Sequence, residues 1–334
     1  MSNLDSGFSA DPAFSASTNG AKPAPLDPQV QQFVRQMAAD ASKFPRRDTV
    51  SIAEGREIAE QVRAPWTAGG PVMERTTEQM VPTRHGEVLI RTYYPKERRM
   101  PGAFLYIHGG GFVLFSINTH DRLMREYADR AGIVVVGINY TRAPEAKFPQ
   151  PIEECIDTVS WLIANAAEIG FDPKQFFIGG DSAGGNLSLC TSMHFRDLGA
   201  SLIRGMVLNY TGFSTDLYQD SVVRYGAGDY GLSLHMMVWF YRNYLGRKED
   251  FTDPRMNLLD ADLKDIPPAF LVITECDPLY DGNIEMVAKM KAEGVDVASK
   301  IYPGTVHSFL EAVSIADVAN EAFDDTVRWF QQHA

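Results

Sequence analysis

From about residue 87 onward the chain alternates two kinds of segment. Short runs rich in β-branched and aromatic residues read as strands: Glu87–Tyr94, Ala103–Ile107, Ile133–Ile138, Gln175–Ile178, Arg204–Asn209, Ala269–Thr274 and Val297–Tyr302. Helical stretches over 119–131, 150–168, 183–197 and 282–293 lie between them, and a last helix carries Ala319, Phe323, Val327 and Phe330 on one face. Strands that are apolar throughout and separated by helices must bury both faces. The pattern predicts an α/β fold: a mostly parallel central sheet flanked by helices on both faces.

Three segments fall outside the alternation. Residues 1–27 are rich in Ser, Ala, Asp, Gly and Pro without a periodic apolar face and read as a flexible tail. Val30, Phe33, Val34 and Met37 fall at helical spacing, and a second helical stretch runs from about Ser51 to Arg63. Between strands 204–209 and 269–274 lies a long insertion holding the apolar run Leu234–Tyr244. Residues 28–68 and 213–250 are therefore expected to form a helical cap over the carboxyl ends of the strands, where open α/β sheets bind ligands. Residues 69–212 and 251–334 make the core.

The net charge of −12 disfavours nucleic acid and anionic membrane surfaces as partners. Cys155, Cys190 and Cys276 are too few and scattered for a disulfide framework or a zinc site and read as small buried hydrophobes, so no metal is expected. No apolar run reaches membrane-spanning length, and the first residues lack the basic start and apolar stretch of a secretory signal. A soluble, cytoplasmic protein is the expectation.

Gly180-Asp181-Ser182-Ala183-Gly184 joins a strand to a helix. A turn this tight strains its central residue and exposes that side chain, while flanking glycines relieve the crowding and the helix start offers N–H groups to a developing oxyanion. His108-Gly109-Gly110-Gly111-Phe112 follows another strand. Three glycines let a loop approach a ligand closely and aim bare N–H groups at it; a phosphate cradle is the rival reading, but no Gly-Lys-Ser/Thr or dinucleotide spacing accompanies it. Gly110, Gly111 and Ala183 are the candidate oxyanion hole. His108 reads as an anchor of its loop.

A serine hydroxyl needs a base. Of the histidines, His307 alone sits between the last strand and the last helix, on the same sheet edge as Ser182. The acid should follow another strand. Glu275-Cys276-Asp277-Pro278 offers two carboxylates, of which Asp277 lies further past the strand end and Glu275 is the weaker rival; Asp281 reads as a helix cap. The expected catalytic residues are Ser182, Asp277 and His307. Phe112, Phe115 and Trp239 are the candidate pocket residues.

The two glycine motifs, with Ala143-Pro144-Glu145, Phe148-Pro149, Asp277-Pro278-Leu279 and Pro303-Gly304 ahead of His307, resemble the bacterial hormone-sensitive-lipase-like carboxylesterases over roughly residues 70–330. The resemblance implies an α/β-hydrolase fold, hydrolysis of short- to medium-chain carboxylic esters, no cofactor and an N-terminal cap. It also leaves room for a homodimer through the last sheet-edge strand. The chain departs from the family pattern at Asn139–Arg142, at Phe115 where a glycine is common, and at Ser308 where a glycine usually follows the histidine. A lactone or amide hydrolase would use the same groups, and a ligand-binding receptor on this scaffold is the more distant alternative.

Overall fold

The computed structural model describes residues 24–334. Its elements run α1 (Pro28–Ala41), α2 (Ile52–Thr67), β1 (Arg75–Thr83), β2 (Gly86–Tyr94), β3 (Ala103–Ile107), α3 (Asp121–Ala131), β4 (Val134–Asn139), α4 (Gln150–Ala164), α5 (Ala166–Ile169), β5 (Phe176–Asp181), α6 (Ala183–Asp197) and β6 (Gly205–Asn209). They continue as α7 (Asp220–Tyr225), α8 (Leu234–Tyr244), β7 (Ala269–Cys276), α9 (Tyr280–Ala292), β8 (Val297–Val306) and α10 (Asp317–His333). One sheet holds all the strands in the order β1-β2-β4-β3-β5-β6-β7-β8. β2 pairs antiparallel with both β1 and β4, and the strands from β4 to β8 are parallel.

Pleating sorts the core into two layers, because successive side chains of a strand point to opposite faces. On β3, Leu105 and Ile107 pack with Ile152 and Val159 of α4, Leu187 of α6 and Met286 of α9. Phe104 and Tyr106 pack on the other side with Leu123 and Tyr127 of α3 and Phe323 and Phe330 of α10. Helices therefore cover both faces, as the alternation predicts.

β1 is the strand that periodicity does not show. Its residues are mostly exposed or half-buried and only Val81 is fully buried, so the edge carries little apolar pattern. Most of the expected tail lies outside the described residues. Asp27, at its end, donates its N–H to Gly304 O at 3.0 Å and caps α1 by accepting from Gln29 and Val30 N–H. Cys155, Cys190 and Cys276 are free and buried. Among the described residues no helix is long and apolar enough to cross a membrane.

Candidate active site

The parallel strands end on one side of the molecule, and the chemistry-bearing residues sit where they end. β5 delivers Ser182 into the first turn of α6. β7 ends beside Asp277, β8 beside His307, and β3 runs into the glycine loop. Ser182 has φ 54° and ψ −117°, a strained backbone for a residue with a Cβ. Two hydrogen bonds hold it there: Ser182 N–H to Asn209 O at 2.9 Å, and Gly212 N–H to Ser182 O at 3.3 Å. The flanking glycines are sterically required. A Cβ on Gly184 would lie 1.9 Å from Ile107 O, and one on Gly180 would lie 2.1 Å from the same oxygen.

The structure brings Ser182, His307 and Asp277 together. His307 Nδ1 is 2.8 Å from Asp277 Oδ2, an atom that only accepts when ionised. The ring proton therefore belongs on Nδ1. That leaves Nε2 as an acceptor, and the Ser182 hydroxyl lies 3.0 Å from it. Asp277 is fully buried and is fixed by Thr274 Oγ1–H at 2.6 Å and Leu279 N–H at 2.9 Å. Glu275 instead accepts Gly304 N–H at 2.7 Å, away from the imidazole. Asp281 does not cap α9, contrary to the sequence reading. It binds Ser221 N–H at 2.7 Å in the first turn of α7, because that helix start packs directly against it.

Gly110, Gly111 and Ala183 line the cavity above Ser182. Among the described residues the N–H groups of Gly110 and Gly111 meet no backbone carbonyl. Ala183 opens α6, where N–H groups lack intrahelical partners and the helix dipole is positive. The glycine loop is anchored from behind. Asp181 accepts Tyr106 O–H at 2.8 Å and Gly109 N–H at 3.0 Å, and lies 3.3 Å from His120 Nε2. Burial pushes the Asp181 carboxyl up, but His120 beside it, with Tyr106 and His108, brings it down to about 2. His108 donates from Nδ1 to Gly109 O at 2.7 Å and stacks on Tyr140, the anchoring geometry expected of it.

Phe112 and Phe115 line the cavity. Phe112 stacks on Tyr244 with ring centroids 4.0 Å apart. Trp239 does not line it. On α8 the cavity face is formed by Met236, Met237, Phe240 and Tyr241, and Trp239 is turned about 100° away from Phe240 toward the side of the helix. Sequence reasoning also missed Arg47 and Arg63, which enter the cavity from the connection between α1 and α2 and from α2 itself. A signal for Arg63 existed: it interrupts the apolar stripe Ile58, Ala59, Val62 and Trp66 of α2. The two departures from the family's glycines share one property. Phe115 (φ 66°) and Ser308 (φ 68°) both occupy left-handed backbone, which favours glycine. Each side chain also lines the cavity.

With this arrangement in view, the comparisons are consistent. A profile described as alpha/beta hydrolase fold matches residues 104–311, more than half of the chain. An esterase from Pyrobaculum calidifontis superposes with a TM-score of 0.85 at 32% identity, covering 93% of this chain and 100% of its own. EstE1, a thermostable carboxylesterase cloned from a metagenomic library, gives 0.82 at 34% identity, covering 85% and 98%. A fungal esterase from Rhizomucor miehei gives 0.84 at 28%, covering 93% and 97%. The chain belongs to the α/β-hydrolase fold family. It is a carboxylic ester hydrolase for small-molecule esters, and the resemblance read from its glycine motifs is borne out.

Proposed function

We propose that the chain is a serine carboxylesterase that works through an acyl-enzyme on short- to medium-chain esters. The observation that carries this is the continuous chain of hydrogen bonds from Asp277 through His307 to Ser182. His307 Nε2 takes the hydroxyl proton as Ser182 Oγ attacks the ester carbonyl, and Asp277 holds the tautomer and stabilises the imidazolium. The N–H groups of Gly110, Gly111 and Ala183 receive the oxyanion, each worth about 2.7–4 kcal/mol in the transition state. The alcohol departs with the proton from His307. Water then repeats the sequence and releases the acid. Residues 28–68 and 213–250 act as the cap that shapes the cavity.

An activated ester such as 4-nitrophenyl butyrate should give a burst of nitrophenol equal to the enzyme present, followed by slower turnover. In Ser182→Ala both phases should vanish while the protein still folds. Persistence of the burst in that variant would remove Ser182 as nucleophile.

A further inference from the structure

Besides the phenol of Tyr241, four ionisable side chains line the cavity with Ser182: Arg47, Arg63, Asp181 and His307. Three have partners inside the protein. Asp181 holds the glycine loop and His307 joins Ser182 to Asp277. Arg63, only 7% exposed, forms an ion pair with Glu311 and lies 4.4 Å over the ring of Phe115, yet its Nε meets no acceptor. Arg47 differs. The acid next to it, Asp48, is turned outward to Arg46 at 2.9 Å and to His235 at 2.6 Å. Among the described residues no carboxylate pairs with the Arg47 guanidinium.

The two guanidinium groups also feel each other. Burial holds Arg47 below the ordinary arginine range, with Asp48 opposing. Burial, then the charge of Arg47, does the same to Arg63. Two cations close together, one of them buried with a donor that no protein acceptor matches, favour an anion beside them. An anion entering the cavity gives the two guanidinium groups a counter-charge beyond that of Asp181, which already lines the same cavity.

We propose that Arg47, backed by Arg63, selects esters that carry a second, uncleaved carboxylate: half-esters of dicarboxylic acids, or esters of a carboxylated alcohol. This rests on the reading of Ser182 as the nucleophile of an esterase. Guanidinium donors match a carboxylate two at a time, which fixes orientation as well as charge. On a molecule of net charge −12 an inward-facing cation also confines the attraction for anions to the cavity.

Matched substrates test it. Mono-4-nitrophenyl succinate, glutarate and adipate are compared with the same compounds methyl-capped at the free acid, and 4-carboxyphenyl butyrate with its methyl ester. The carboxylate form should win in kcat/KM by about tenfold or more in at least one series, mainly through KM. That ratio should fall toward one in Arg47→Gln and be partly kept in Arg47→Lys. Free glutarate should compete with 4-nitrophenyl butyrate on the unaltered protein where glutaramide does not, so the test stands even if a variant misfolds. Ratios at or below one throughout, no competition by glutarate, or an unchanged ratio in folded Arg47→Gln would overturn the proposal. So would preference for a phosphate in place of the carboxylate. Turnover of 4-nitrophenyl butyrate that is lost in Ser182→Ala keeps the esterase reading whichever way the ratios fall; its absence from the unaltered protein would sink that reading separately.

Discussion

Two carboxylates, Glu275 and Asp277, stand at the end of β7 and take different partners. Glu275 fastens the end of β8 ahead of His307 through Gly304 N–H, while Asp277 meets the imidazole itself. In Asp277→Asn an amide can donate toward Nδ1 and stabilise the wrong tautomer, so kcat should fall roughly 10³–10⁴-fold with KM little changed. Glu275→Gln should lower thermal stability by about 1 kcal/mol and keep kcat within about tenfold. Steady-state kinetics in which Glu275→Gln proved the more damaging would reverse the assignment. The choice between these acids was legible from position past the strand end. The partners of Asp281 were not, because they depend on α7, a short helix that periodicity alone does not show. Arg47 was hidden for a different reason. Nothing local marks a polar residue in a turn as facing inward.

At the scale of elements, the parallel strands were readable because burial on both faces makes them continuous apolar runs. β1 was not, since an edge that is mostly exposed needs no such run. α8 shows how far a helical pattern reaches. Its aromatic run announced an apolar helix, but which side meets the cavity was settled by tertiary contact. A Cβ on Gly111 would fall 2.2 Å from the Phe240 ring, so this helix rests directly on the glycine loop. The close wall made by Phe240 and Phe112 should favour small acyl groups. Across a 4-nitrophenyl series, kcat/KM should therefore be higher for butyrate than for laurate, and should shift toward longer chains in Phe240→Ala. A laurate optimum in the unaltered protein would show that the wall yields.

For the whole molecule, the buried His108 couples stability to pH. Burial first, then His120, lowers its range to about 3 from 6.5. The unfolded chain binds a proton below 6.5 that the folded chain refuses until about 3, so this contribution is complete above 6.5 and is lost as pH falls. The slope from this group is about 1.4 kcal/mol per pH unit at most. Denaturant melts between pH 7 and 5 should lose stability less steeply in His108→Gln than in the unaltered protein. Parallel slopes would show that His108 is not the coupled group.

The bond from Asp27 to Gly304 sets an order of events during synthesis. It spans 277 positions (304 − 27), so the seat of α1 does not exist until β8 has been made. Until then Val30 and Phe33, both buried in the finished protein, have only α2 to pack on, through the contact of Phe33 with Trp66 at 4.7 Å between ring centroids. α1 therefore takes its final seat only after β8 is in place. For that interval a nascent chain offers a partly covered apolar stripe to chaperones and to neighbouring chains alike.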